Sequence, residues 1–158
     1  MEQSAIRYPL IVRPRRFGKT LFTMMLQAYY DKAAAKDFER SFSGTYIADH
    51  KTELAGSYRV LSFDFSGIAS REVQQDFVRS VKRALQDFLN RYPMESVQAI
   101  IDKDYASPSS LLVDFFKEYE KQTTDRIYVI IDEYDQFANE LLATDRQTFL
   151  DMTESGDS

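Results

Sequence analysis

The chain has 158 residues, 44% of them hydrophobic, 14% aromatic and 28% charged, with no cysteine, no tryptophan and a formal net charge of −5. That length suits one domain, because folding buries roughly 68–70% of the surface of an unfolded chain of this size. The absence of cysteine excludes a disulfide scaffold, 12 Phe and 10 Tyr against five Gly and four Pro exclude a low-complexity segment, and no apolar run approaches the ~20 residues of a membrane-spanning helix.

Met1-Glu2-Gln3-Ser4 lacks the basic and then apolar regions of a secretory signal, so the cytoplasm is the expected compartment. Charge is uneven: residues 1–40 hold eight Lys/Arg against four Asp/Glu, and residues 41–158 hold 12 against 21. This argues against a uniformly basic nucleic-acid binder and leaves open a local anion site centred on Arg13, Arg15, Arg16 and Lys19.

Tyr8-Pro9-Leu10-Ile11-Val12 reads as a strand entering the turn-like stretch Arg13-Pro14-Arg15-Arg16-Phe17-Gly18. Residues 19–30 contain no Gly or Pro and are apolar on almost every side, which predicts a helix buried nearly all round. Residues 31–57 show no strong period and read as a helix end followed by irregular connection. Residues 58–65 alternate, with Leu61, Phe63 and Phe65 on one face and Val60, Ser62 and Asp64 on the other, as a half-buried edge strand would.

Ser70 can cap the next helix with Glu72 in its first turn, and Val73, Phe77, Val81, Ala84, Leu85 and Phe88 form its apolar stripe until Pro93. Residues 94–101 read as a shorter helix. Ser107-Pro108 is an N-cap with proline at the first helical position, followed by the stripe Leu111, Leu112, Phe115, Phe116 and Tyr119. Ile127-Tyr128-Val129-Ile130-Ile131 is short, apolar throughout and β-branched, the pattern of a parallel strand covered on both faces. Helical stretches are expected from Phe137 and from Asp145, then a frayed polar tail over residues 155–158. With no repeat and no linker, residues 1–158 read as one α/β domain.

Two segments carry chemistry. Residues 13–20 match the last three positions of the phosphate-loop pattern G-x-x-x-x-G-K-[ST], with arginine in place of the first glycine. The amides from Arg16 through Phe17 to Thr20 would curl round a phosphate, with Gly18 lacking a Cβ at the closest approach and a helix N-terminus adding its dipole. Lys19 would reach the β- and γ-phosphates and the Thr20 hydroxyl would bind Mg²⁺. The competing interpretation is a basic surface turn. The second segment is the 127–131 strand ending in Asp132-Glu133: Asp132 would hold Mg²⁺ and Glu133 would act as general base on the attacking water. Acids placed at a helix start are the alternative there. Both segments in one chain, each after a strand and in this order, favour nucleotide binding. His50 is expected in solvent, one histidine without cysteine argues against structural zinc, and Tyr29, Tyr30, Phe115 and Phe116 are expected to pack as core.

Residues 13–20, Leu61-Ser62-Phe63-Asp64-Phe65-Ser66 and Ile130-Ile131-Asp132-Glu133-Tyr134-Asp135 together resemble the predicted AAA-ATPase-like domain. That P-loop NTPase family often stands N-terminal to a restriction-endonuclease-like nuclease domain in bacteria, and the resemblance spans about residues 8–150. It implies a three-layer P-loop sheet with helices on both faces, ATP as substrate and Mg²⁺ as cofactor. Lys19 and Thr20 carry over as phosphate and metal contacts, Asp132 and Glu133 as metal-binding and catalytic carboxylates, and arginine at Arg13 is usual. Asp135 matches with no role attached.

The family has a sensor strand between its Walker A and Walker B strands, and a fifth strand. No further β-like run follows Asp132 here, and only seven residues precede Tyr8, so the expectation is the N-terminal part of an ATPase, truncated before the sensor strand. The expected activity is ATP hydrolysis driving an attached or partner module. The alternatives are a nucleotide-binding module without turnover, and a nucleic-acid contact through Arg13, Arg15, Arg16 and Lys19. A homo-oligomer in which a neighbour's arginine completes the site, and a nuclease-like or nucleic-acid partner, are expected by family analogy only.

Overall fold

Two β-prone runs far apart in the chain meet as neighbours. In a computed structural model, residues 18–66 and 73–133 are described. The expected strand at 8–12, the loop at 13–17, the Ser70 cap, the helices from Phe137 and Asp145, and the polar tail lie outside the described residues. β1 (Arg59–Asp64) pairs in parallel with β2 (Ile127–Asp132), in register from Arg59↔Ile127 to Asp64↔Asp132. Parallel strands need a long crossover, and helices α4 (Val73–Arg91), α5 (Glu95–Ile101) and α6 (Pro108–Gln122) occupy it. Helix α1 (Lys19–Tyr30), a 3₁₀ turn (Lys32–Asp37) and the short helices α2 (Phe38–Phe42) and α3 (Tyr46–Asp49) precede β1.

Helices lie on both faces of this two-stranded sheet. Leu61 and Phe63, with Phe65 just beyond, join Val81, Leu85, Phe88, Leu111, Phe115 and Tyr119 in one core. Val60 and Ile130 face the other way and pack with Tyr29, Tyr30, Phe38 and Phe42. The local signals for the crossover helices act as expected: the Ser107 hydroxyl accepts the Ser110 N–H at 3.2 Å, and Pro108 opens α6 where its missing N–H costs nothing.

Four expectations need correction. β1 is not half buried, since Val60 and Leu61, on opposite faces, are both 0% exposed; α1 covers the face that alternation assigned to solvent. Among the described residues β2 is not covered on both faces, since Val129 and Ile131 are 45% and 52% exposed; α4 lies over β1 rather than over these two positions. α1 is not buried all round: Leu21, Met24 and Met25 are exposed, while Tyr29 and Tyr30 at its end are buried. The segment 31–57 is not simply irregular, because the ring of Tyr29 meets Phe38 and Phe42 at 5.8 Å and so organises the 3₁₀ turn and α2.

The junction of α1, β1 and α4 is polar and buried. Asp31 is 2% exposed and caps the 3₁₀ turn by accepting the Ala33 N–H at 2.9 Å. It also accepts from the Arg91 guanidinium and the Tyr92 hydroxyl, while Arg91 donates to the Val60 carbonyl at 2.7 Å. Backbone bonds from Lys32 N–H to the Tyr58 carbonyl (2.8 Å) and from Tyr58 N–H to the Tyr30 carbonyl (3.0 Å) tie the same corner. Burial, reinforced by the bond to Asp31, pushes the Tyr92 phenol well above its ordinary value. At the start of β1 and β2, Asp125 takes Lys32 and the Arg59 Nε, and the bond from Lys32 holds its carboxyl below the usual range.

Removing one partner of a buried ion pair strands the other. Asp31→Ala is therefore expected to cost about 3–5 kcal/mol in urea unfolding, against about 1 kcal/mol for Ser107→Ala, which loses only a cap. Asp125 titrates lower in the folded chain than unfolded, so its contribution is present above about pH 4 and is lost as pH falls through its folded value. Unfolding followed against pH should accordingly show a shallower acid-side decline in Asp125→Asn than in the parent.

Candidate functional site

Ligands of open parallel sheets bind outside the carboxyl ends of the strands. At that edge β1 ends in Asp64 and β2 in Asp132, partners in register and therefore on one face of the sheet, the face that α1 covers. Asp64 is exposed and its Oδ1 accepts the Ser66 N–H at 2.9 Å, turning the chain away from β1.

Gly18 precedes α1 with φ 74° and ψ 27°, a left-handed conformation that glycine adopts without Cβ cost. Among the described residues no side chain caps this helix start, and no acid lies in its first turn to offset the positive end of its dipole. Lys19 and Thr20 in that turn are exposed. One turn on, the Thr23 hydroxyl lies 2.8 Å from the Thr20 carbonyl and 3.3 Å from Asp132 Oδ2. Asp132 Oδ1 accepts the Glu133 N–H at 3.0 Å. Glu133, half-buried, turns the chain out of β2 with φ 54°, uncommon for a residue with a Cβ.

Asp132 is thus brought against the start of α1, with Glu133 beside it on the backbone and Lys19 and Thr20 on the adjoining helical turn. Arg16 and Phe17 lie outside the described residues, as do Arg13, Arg15 and Asp135. Thr23 was not legible as a site residue, because its contact crosses 109 positions of sequence; its only local signal is the i+3 spacing from Thr20.

Among the described residues no group of three or more His, Cys, Asp or Glu could cage a metal. The hard oxygen donors Asp132 and Thr20 nevertheless suit Mg²⁺, which binds through one or two carboxylates together with substrate phosphates and waters rather than in an all-protein cage. His50 is exposed and stacks on Tyr46 at 3.8 Å, and Tyr29, Tyr30 and Phe115 are buried core. A cleft of about 720 Å³ lined by Arg59, Arg91, Tyr92 and Met94 shares no residue with the site.

A family model described as predicted AAA-ATPase matches residues 1–155. No curated protein and no solved structure matches the chain. Among the described residues no helix is long and apolar enough to cross a membrane.

The left-handed turn at Glu133 generates its own test. Glu133→Gly should leave folding stability unchanged or raised, whereas the β-branched Glu133→Val should lower it by about 1–3 kcal/mol in denaturant unfolding.

Proposed function

The chain belongs to the predicted AAA-ATPase family, and from that premise we propose that it is a P-loop module that binds Mg-ATP and hydrolyses its β–γ bond. The observation that carries this reading is the bond from Thr23 to Asp132, which sets the carboxylate ending β2 against the uncapped start of α1. A three-layer P-loop sheet over residues 1–158, with helices on both faces, is the fold that goes with it.

In this proposal the triphosphate lies at the amides of residues 16–20, where the α1 dipole and the left-handed Gly18 favour close approach of an anion. Lys19 neutralises the β- and γ-phosphates. Thr20 and Asp132 would hold Mg²⁺, which when bound offsets charge developing on the transferred phosphoryl group. Glu133, whose N–H bonds to Asp132 Oδ1, would orient the attacking water and accept its proton. The turnover would move an attached or partner module. Completion of the site by an arginine from a second copy, and a nuclease-like or nucleic-acid partner, rest on family analogy alone.

Steady-state phosphate release with Mg²⁺ tests the proposal. Hydrolysis by the parent chain should fall to background in Lys19→Ala and by about 10²–10⁴-fold in Glu133→Gln, the usual range for a general base. Phosphate release equal in the parent and Lys19→Ala would overturn the enzymatic reading. At a hundredfold excess over Kd, ATP should add about 2.7 kcal/mol of stability, and an unmoved midpoint at saturating Mg-ATP would overturn binding as well.

A further inference from the structure

We propose that Thr23 is a positioning residue that sets the Asp132 carboxylate for the cation of the bound nucleotide; the inference rests on the nucleotide-site reading above. The Thr23 oxygen stands between two acceptors, the Thr20 carbonyl at 2.8 Å and Asp132 Oδ2 at 3.3 Å. A threonine hydroxyl carries one proton, so it satisfies one of them at a time. Both acceptors matter to the site: Thr20 supplies the metal-facing hydroxyl and Asp132 the metal-facing carboxylate.

With the proton directed to Oδ2, the carboxylate is held from two sides, because Oδ1 already accepts the Glu133 N–H at 3.0 Å. Two donors on separate elements fix the plane of the group and orient its remaining lone pairs. Rotation about the C–O bond exchanges the proton between the two acceptors: without a cation it rests on the Thr20 carbonyl, the shorter contact, and with a cation at the site it goes to Oδ2, where it holds the carboxylate's orientation. No heavy atom has to move. The β-branched side chain assists, since in a helix threonine is confined to few χ1 rotamers and bonds readily to a carbonyl one turn back. Thr23 is half-buried, which shields the exchange from competing water.

A purely structural threonine would affect ATP binding equally with and without the cation. A positioning threonine affects only the cation-dependent part. ATP affinity should therefore be measured on the full chain by fluorescence titration, once with Mg²⁺ and once with chelator, for the parent, Thr23→Val, Thr23→Ser and Lys19→Ala. Valine keeps the shape and removes the proton; serine keeps the proton.

In Thr23→Val the enhancement of affinity by Mg²⁺ is expected to shrink about tenfold, the scale of one hydrogen bond to a charged group, with chelator affinity unchanged. Thr23→Ser should restore most of the enhancement, and Lys19→Ala should weaken binding in both conditions. If Lys19→Ala weakens binding but Thr23→Val keeps the parent's full response to Mg²⁺, the role of Thr23 is overturned and the site stands. If Thr23→Val loses affinity equally in both conditions, Thr23 is structural and the inference also fails. If the parent binds no ATP in either condition, the site reading and this inference fall together.

Discussion

The described structure hangs on one buried carboxylate. Asp31 ends α1, and it accepts at once from its own following turn, from Arg91 at the end of α4 and from Tyr92 beyond it. Arg91 carries the link onward to the Val60 carbonyl inside β1. A buried charge is tolerable only when its desolvation is offset by partners of this quality, so these elements are not free to choose their relative placement. The carboxyl end of α1 is fixed against the amino end of β1, and the helix reaches the carboxyl edge of the sheet at Thr23. Its first turns then arrive at Asp132.

That geometry explains why a helix with a poor apolar stripe is nevertheless held. The exposed Leu21, Met24 and Met25 contribute little to its docking among the described residues, whereas Tyr29 and Tyr30 are buried in an aromatic cluster that includes Phe38, Phe42 and Tyr128. The helix is anchored at its carboxyl end by aromatic packing and by Asp31, and touches the site end through Thr23. The site is therefore assembled by contacts at both ends of one 12-residue helix, and polar groups set its register where apolar packing is thin.

Much of this was legible in the sequence, and the exceptions share a cause. The run at 127–131 announced a strand because five consecutive apolar, largely β-branched residues bounded by polar ones have few other uses. Ser107-Pro108 announced α6 because cap and proline act locally. The Gly18-Lys19-Thr20 signal and the Asp132-Glu133 ending are also local, and they marked the two elements that the fold brings together. What was not legible depends on partners remote in sequence. Alternation alone put Val60 in solvent, yet it is buried by α1 and Tyr30. The short helix at 38–42 has no apolar period and follows from aromatic contacts made by Tyr29, and Ile47 and Ala48 of the helix at 46–49 pack against the same cluster. Asp31 looked like a helix-ending polar residue, and only the approach of Arg91 and Tyr92, 60 and 61 positions on, makes it a buried hub. Thr23 is invisible for the same reason.

The central claim is that the start of α1 and the end of β2 form one nucleotide site. Backbone amide NMR of the isotopically labelled chain, titrated with Mg-ATP, tests this most directly. The account predicts shift changes concentrated at residues 18–23 and at Asp132 and Glu133, with the Arg59, Arg91 and Tyr92 end of the molecule little affected. Changes clustered at that opposite cleft, or a spectrum unmoved by Mg-ATP, would contradict it.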